Sequence, residues 1–140
     1  MNGLSIQACS NEDLDLLAAL NKQLIEDERH DNRMTVEQLK ERMEGFISTD
    51  YKAYLFKENG ETKGYALINH AKRPLYVRQF FICRDCRRQG YGKLAFEKLV
   101  EVLGTDQIDI EVMFWNERGH AFWKSLGFKE RSVYMRLDNN

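Results

Sequence analysis

Arg87-Arg88-Gln89-Gly90-Tyr91-Gly92 carries more fold information than any other stretch of this chain. Before it, residues 75–82 form a largely apolar run with Arg78 and Gln79 inside it. After it, Phe96, Leu99, Val100 and Leu103 recur at helical spacing, which predicts a helix over residues 90–103. The first turn of any helix leaves backbone N–H groups without partners, and the helix dipole adds partial positive charge there. Glycines let the chain bend tightly and let an anion approach without meeting a Cβ. Arg84, Arg87, Arg88 and Lys93 crowd the same turn, so it suits a diphosphate. Two other phosphate motifs fail. No Gly-Lys-Ser/Thr stands at Walker spacing. Gly90, Gly92 and Ala95 satisfy Gly-x-Gly-x-x-Ala, with Asp109 about 20 residues on. That fingerprint needs its first glycine directly after a buried strand, and here the charged residues 83–89 intervene.

Downstream of the turn, Ile108, Ile110, Val112 and Phe114 alternate with Asp109, Glu111 and Met113, predicting a strand over residues 108–114. Asn116 caps a short helix that ends at Gly127, and Val133, Met135 and Leu137 alternate in a final strand. Upstream, Leu4 and Ile6 form a short apolar start. Ser10 and Asp13 have the spacing of a capping box, followed by Leu14, Leu17, Ala18 and Ile25 at helical intervals. A charged loop over residues 28–33 gives way to a second capping box, Thr35 and Gln38. Val36, Leu39, Met43, Phe46 and Ile47 then share one face. Residues 51–57 and 62–69 read as strands joined by a hairpin turn at Asn59-Gly60. The order is β-α-α-β-β-β-α-β-α-β. It describes an α/β (α+β) fold, one domain over residues 1–140, with a mixed, mostly antiparallel central sheet flanked by helices.

The 140 residues suit one domain, and 43% hydrophobic with 31% charged residues exclude a disordered chain. The longest apolar run, residues 16–20, is too short to cross a bilayer, and residues 1–10 lack the pattern of a secretion signal. Three cysteines, an odd number, make no disulfide framework. Cys83 and Cys86 have no second pair and no nearby histidine, so no metal is expected and they read as turn thiols. A soluble, cytoplasmic, globular protein is the expectation. The net charge of −1 conceals two opposed fields. Residues 10–50 hold eleven acidic and five basic residues; residues 72–98 hold eight basic and two acidic ones.

Ile82, Arg87, Gly90 and Gly92 resemble the strand-to-turn signature of the GNAT superfamily of N-acetyltransferases, Arg/Gln-x-x-Gly-x-Gly/Ala. Asn116, Ala121, Phe122, Lys124, Leu126, Gly127 and Phe128 resemble its second signature, in register with the first, and the element order matches over nearly the whole chain. The resemblance implies acetyl-CoA as donor. It places the pantetheine arm along Phe80, Phe81 and Ile82, and the pyrophosphate on Arg87, Arg88, Gln89, Gly90, Tyr91, Gly92 and Lys93. Asn116 and Trp123 fall on the far side of the cofactor. Two positions depart from the family: Gly119 stands at a usual alanine, and Trp123 where many members carry a tyrosine that protonates the leaving thiolate. A phenol can hand over a proton, whereas an indole N–H only donates a hydrogen bond. Trp123 is therefore read as packing, and Tyr134 becomes the acid candidate.

A substrate amine of ordinary basicity is protonated at neutral pH and must lose a proton before it attacks. The resemblance places the acceptor mouth at Glu26, Asp27 and Glu28, with Glu28 as candidate base and His30 beside them; an acidic field there favours a cationic acceptor. Gln79 lies where some members carry a carboxylate, but an amide is no base. His70 and His120 read as surface or locally bonded side chains. The expected activity is N-acetyl transfer to a small-molecule or peptide amine by direct attack in a ternary complex. A catalytically weak acyl-CoA-binding module is the alternative. Nucleic acid is not an expected partner, because an equal acidic block opposes the basic segment, and neither is a membrane. A homodimer stays open as the assembly.

Overall fold

The computed structural model describes residues 3–138. Local chemistry starts both early helices. The Ser10 hydroxyl and the Asp13 carboxylate close a capping box around a single 3₁₀ turn, from which α1 (Leu14–Asp27) runs on. Thr35 and Gln38 close a second box at the head of α2 (Val36–Ile47). The remaining elements are β1 (Ser5–Ala8), β2 (Tyr51–Glu58), β3 (Glu61–Asn69), β4 (Leu75–Ile82), α3 (Tyr91–Leu103), β5 (Ile108–Ile110) and α4 (Glu117–Ser125). Asn59 and Gly60 both take positive φ, 53° and 78°, the geometry a two-residue hairpin needs between β2 and β3.

The five strands lie in the order β1-β2-β3-β4-β5. The first three pairings are antiparallel; β5 joins β4 in parallel after the α3 crossover. Alternation along the strands feeds two cores. Ala53 and Leu55 of β2 with Tyr65 and Leu67 of β3 pack beneath α1 and α2, against Leu17, Leu24 and Met43. Tyr54, Phe56, Ala66 and Ile68 face the other way, toward Ala95 and Leu99 of α3.

One irregularity in β4 decides what the sheet presents. Leu67 pairs with Gln79 and Ile68 with Val77, so Arg78 is an extra residue without a partner on β3. The bulge exchanges the faces of the strand: Leu75 and Val77 pack on the α3 side before it, and Phe80 and Ile82 on that side after it. Gln79 and Phe81 are thereby turned toward α1. β5 pairs only with Leu75, Tyr76 and Val77, short of the bulge. The Cys83 N–H donates to Lys63 of β3 at 2.8 Å. By alternation the backbone groups of Gln79 and Phe81 also point to β3, and those of Phe80 and Ile82 point to the opposite edge, where no strand lies.

The C-terminal part corrects two expectations. β5 is three residues long rather than spanning 108–114, because β4 leaves it at the bulge and a ladder cannot continue without its partner. The strand expected around Val133, Met135 and Leu137 is not formed: these side chains are 82–92% exposed and residues 128–138 join no ladder, a three-residue β5 offering too short an edge to dock them. Among the described residues no helix is long and apolar enough to cross a membrane.

A Cβ at Gly64 of β3 would stand 2.0 Å from the Phe81 carbonyl oxygen of β4. Gly45, in α2, has nothing within 4 Å of its Cβ position. In urea unfolding, Gly64→Ala should lose about 2 kcal/mol or more, whereas Gly45→Ala should gain about 0.5–1 kcal/mol from helix propensity alone.

Candidate active site

The start of α3 differs from that of α2 and α4, which Thr35 and Asn116 cap with side chains. Gly90, at φ 81°, precedes α3 with no side-chain cap, and the first turn holds no acidic residue. Its leading N–H groups are therefore open to an external acceptor. The Tyr91 ring is buried and its hydroxyl donates to Glu58 at 2.6 Å, so Tyr91 offers this turn its backbone alone. Gly92 lets α4 approach: a Cβ there would come within 2.9 Å of the Phe122 ring. Gln89 donates from its side chain to the Asp85 carbonyl. Arg88, itself at φ 64°, and Lys93 stand exposed, and neither forms an ion pair among the described residues.

Arg84 and Arg87 are used differently. Arg87 Nε donates to the Ile82 carbonyl at 2.9 Å, and its Nη2 reaches the Asp27 carboxylate. Arg84 Nε donates to the other Asp27 oxygen at 2.8 Å, with Glu26 a further 3.4 Å contact. The acidic and basic halves of the sequence thus meet at the C-terminal end of α1. Burial alone would raise the Asp27 carboxyl, but the two guanidiniums outweigh it and hold the carboxyl below its ordinary range.

Glu28, one residue on, has no such partner. Burial first, and the Asp27 charge second, push its carboxyl up to about 7 against a smaller opposing effect of Arg87. Its backbone carbonyl accepts the Trp115 indole N–H at 2.8 Å, tying the end of α1 to the loop between β5 and α4. Residues 27–29 and 115–118 enclose a cleft of about 360 Å³. A larger hollow, about 430 Å³, lies at the opposite end of β4 among His70, Leu75 and Leu103, away from the glycine turn. Asn116 spends its Oδ1 on the Gly119 N–H at 3.0 Å. A Cβ at Gly119 would stand 2.4 Å from the Asn116 amide nitrogen, which accounts for glycine at this position.

Beneath the cleft, the buried Tyr65 hydroxyl donates to Gln79 at 2.7 Å and faces Asn21, Glu28 and Arg42. Burial lowers the His30 pKa, and Arg42 and Arg78 add to this against the opposing Asp31 carboxylate. On the open edge of β4, Trp123 sits in an aromatic cluster, edge-on to Phe80, Phe96 and Phe128 with centroids 5.1, 5.5 and 5.2 Å away. Tyr134 is 78% exposed on the tail, where Arg136 donates to its hydroxyl. Among the described residues no group of three or more His, Cys, Asp or Glu gathers as a metal ion requires.

The structure brings Asp27, Glu28 and Asn116 to one cleft, and Arg87 to the Asp27 carboxylate. It adds Trp115, which the sequence does not single out: its partner lies 87 residues away, and no local pattern marks the pairing. Asn21, Arg42 and Tyr65 escape notice for the same reason.

The model of the acetyltransferase (GNAT) family matches residues 15–128. A thialysine N-epsilon-acetyltransferase of Bos taurus is 23% identical over 142 residues, covering 89% of this chain and 84% of that protein. A possible acetyltransferase from Clostridium difficile 630 superposes with a TM-score of 0.79 at 15% identity, over 98% of this chain and 97% of that one. A "predicted acetyltransferase with acetyl-CoA" from Clostridium acetobutylicum does so with a TM-score of 0.74 at 15% identity, over 96% of both chains.

The folded chain keeps the Glu28 proton to about pH 7, whereas an unfolded glutamate releases it near 4.5. Between these values the folded state binds more protons, so stability falls as pH rises through the window. Melting temperatures at several pH values should show this loss for the wild type and a flatter profile for Glu28→Gln; identical profiles would remove Glu28 from the account.

Proposed function

The chain belongs to the GNAT acetyltransferase family, and we propose that residues 1–140 act as one domain that transfers the acetyl group of acetyl-CoA to a cationic amine by direct attack in a ternary complex. The observation that carries this is the Glu28 carboxyl, raised to about 7 at the wall of a cleft beside the glycine turn. A carboxylate of that basicity is partly ionised at neutral pH and accepts an ammonium proton more readily than an ordinary glutamate. The Trp115 hydrogen bond to its backbone holds it in place. Glu26 and Asp27 are engaged by arginines, so their part is to set the field and to fix Arg84 and Arg87. The Bos taurus relative, named for an Nε-acetyl transfer to thialysine, supports an amine as acceptor.

Acetyl-CoA supplies an activated acyl thioester, and the residues at hand fit it. The uncapped N–H groups of Tyr91, Gly92 and Lys93 suit its diphosphate, with Arg88 and Lys93 adding charge. The free edge of β4 at Phe80 suits the amides of its pantetheine arm. Trp123 packs against the Phe80 side chain as an aromatic surface. Tyr134, exposed on an unpaired tail, is left without the acid role.

Free-thiol release from acetyl-CoA across a panel of amines tests this. Turnover is expected, with kcat/KM rising through a midpoint near 7 as Glu28 ionises. Glu28→Gln should remove that limb and lower the rate about 10²–10⁴-fold. Gly90→Val should weaken acetyl-CoA binding in calorimetry, since valine resists the left-handed backbone that shapes the turn. Acetyl-CoA binding with no turnover for any amine would overturn the enzyme and leave the acyl-CoA-binding module.

A further inference from the structure

Two guanidiniums converge on the α1–α2 face of β4 without a counter-ion. Arg42 of α2 lies 5.5 Å from the centroid of the Phe46 ring, and Arg78, the bulge residue, lies 4.8 Å from the same centroid. Arg78 also approaches Tyr51, 6.0 Å from that ring and 3.5 Å from its hydroxyl. Among the described residues neither arginine forms an ion pair, whereas Arg84 and Arg87 have claimed Glu26 and Asp27. Arg42 donates from Nη2 to Asn21 at 3.2 Å, but its Nε is buried with no partner. Burial, and then the Arg78 charge, both work against the Arg42 cation. Like charges side by side are costly where one of them is partly buried, as Arg42 is, and an anion arriving between them relieves the repulsion.

The place of this pair matters as much as its charge. The Tyr65 hydroxyl feels both the Arg42 guanidinium and the Glu28 carboxylate, so the cationic pair and the candidate base belong to one polar cluster. His30, two residues from Glu28, feels Arg42 and Arg78 as well, and against them the Asp31 carboxylate, which among the described residues pairs with neither arginine. A molecule whose amine meets Glu28 would extend its far end toward the arginines. We propose that the acceptor carries a carboxylate as well as an amine, and that Arg42 and Arg78 receive that carboxylate. This rests on the acetyl-transfer function above and names its substrate class: amino acids or similar zwitterionic amines. A planar guanidinium fork matches a carboxylate with two parallel hydrogen bonds, and such charge-assisted bonds are the strong ones.

Acceptors paired with their decarboxylated counterparts, L-lysine with cadaverine and L-ornithine with putrescine, test it. The carboxylate-bearing member should win by about tenfold or more in kcat/KM, mainly through KM. Arg78 is exposed, so Arg78→Gln should fold normally, as melting would verify. It should bring the ratio within a pair close to one, while Arg78→Lys should restore part of it through its point charge. Calorimetry of L-lysine with the CoA-saturated protein separates the two claims. L-lysine that binds wild type and not Arg78→Gln, with no turnover, would sustain the carboxylate site and overturn the acetyl transfer. Diamines used as well as their amino acids, a ratio unmoved in Arg78→Gln, tighter binding of O-phosphoethanolamine than of any amino acid, or no binding of any of these probes would each overturn the carboxylate site.

Discussion

A single unpaired residue in β4 governs the geometry of the rest. Arg78 lengthens the strand by one relative to β3, and the faces of everything after it are exchanged. Without the bulge, Phe80 would point beneath α1 and Gln79 toward α3. With it, Phe80 joins the aromatic cluster on the α3 side and Gln79 reaches the Tyr65 hydroxyl on the α1 side. The same distortion parts β4 from β5 beyond Val77. The free edge that results has backbone groups directed outward, a feature proteins usually cover or blunt and which here sits next to an uncapped helix start.

The second constraint is electrostatic. An acidic and a basic half could have remained separate surface fields. They meet instead at Asp27, whose carboxylate is gripped by Arg84 and Arg87 from the glycine turn. The grip anchors the turn to the end of α1 and, through the Arg87 bond to the Ile82 carbonyl, to the end of β4. It also leaves Glu28 as the one residue of the acidic trio that sits buried beside a charge of its own sign, and this is what raises it. The structural role of Asp27 and the raised carboxyl of Glu28 are two consequences of one arrangement.

The departures from family pattern also have local causes. Gly119 suits the Asn116 cap as it is oriented here, because a methyl group would come within 2.4 Å of the Asn116 amide nitrogen and displace it. Trp123 meets four phenylalanines edge to face, so its ring works as part of the wall built around Phe80.

The sequence by itself determined whatever depends on neighbours in the chain. Both capping boxes, the Asn59-Gly60 hairpin, the bounds of β4 and the glycine-opened α3 were legible because each is set by residues within a few positions. Two motifs in register also carried the family. Alternation around Val133 and Met135 was misleading, since a strand exists only against a partner edge, and alternation says nothing about whether that edge is there. Only the tertiary structure decided that Arg78 is a bulge, that Arg87 faces Asp27 60 residues away, that Trp115 bonds the Glu28 carbonyl at the cleft, and that Arg42 and Arg78 converge. Burial and long-range charge set those roles, and both are properties of the packed chain that no window of sequence contains.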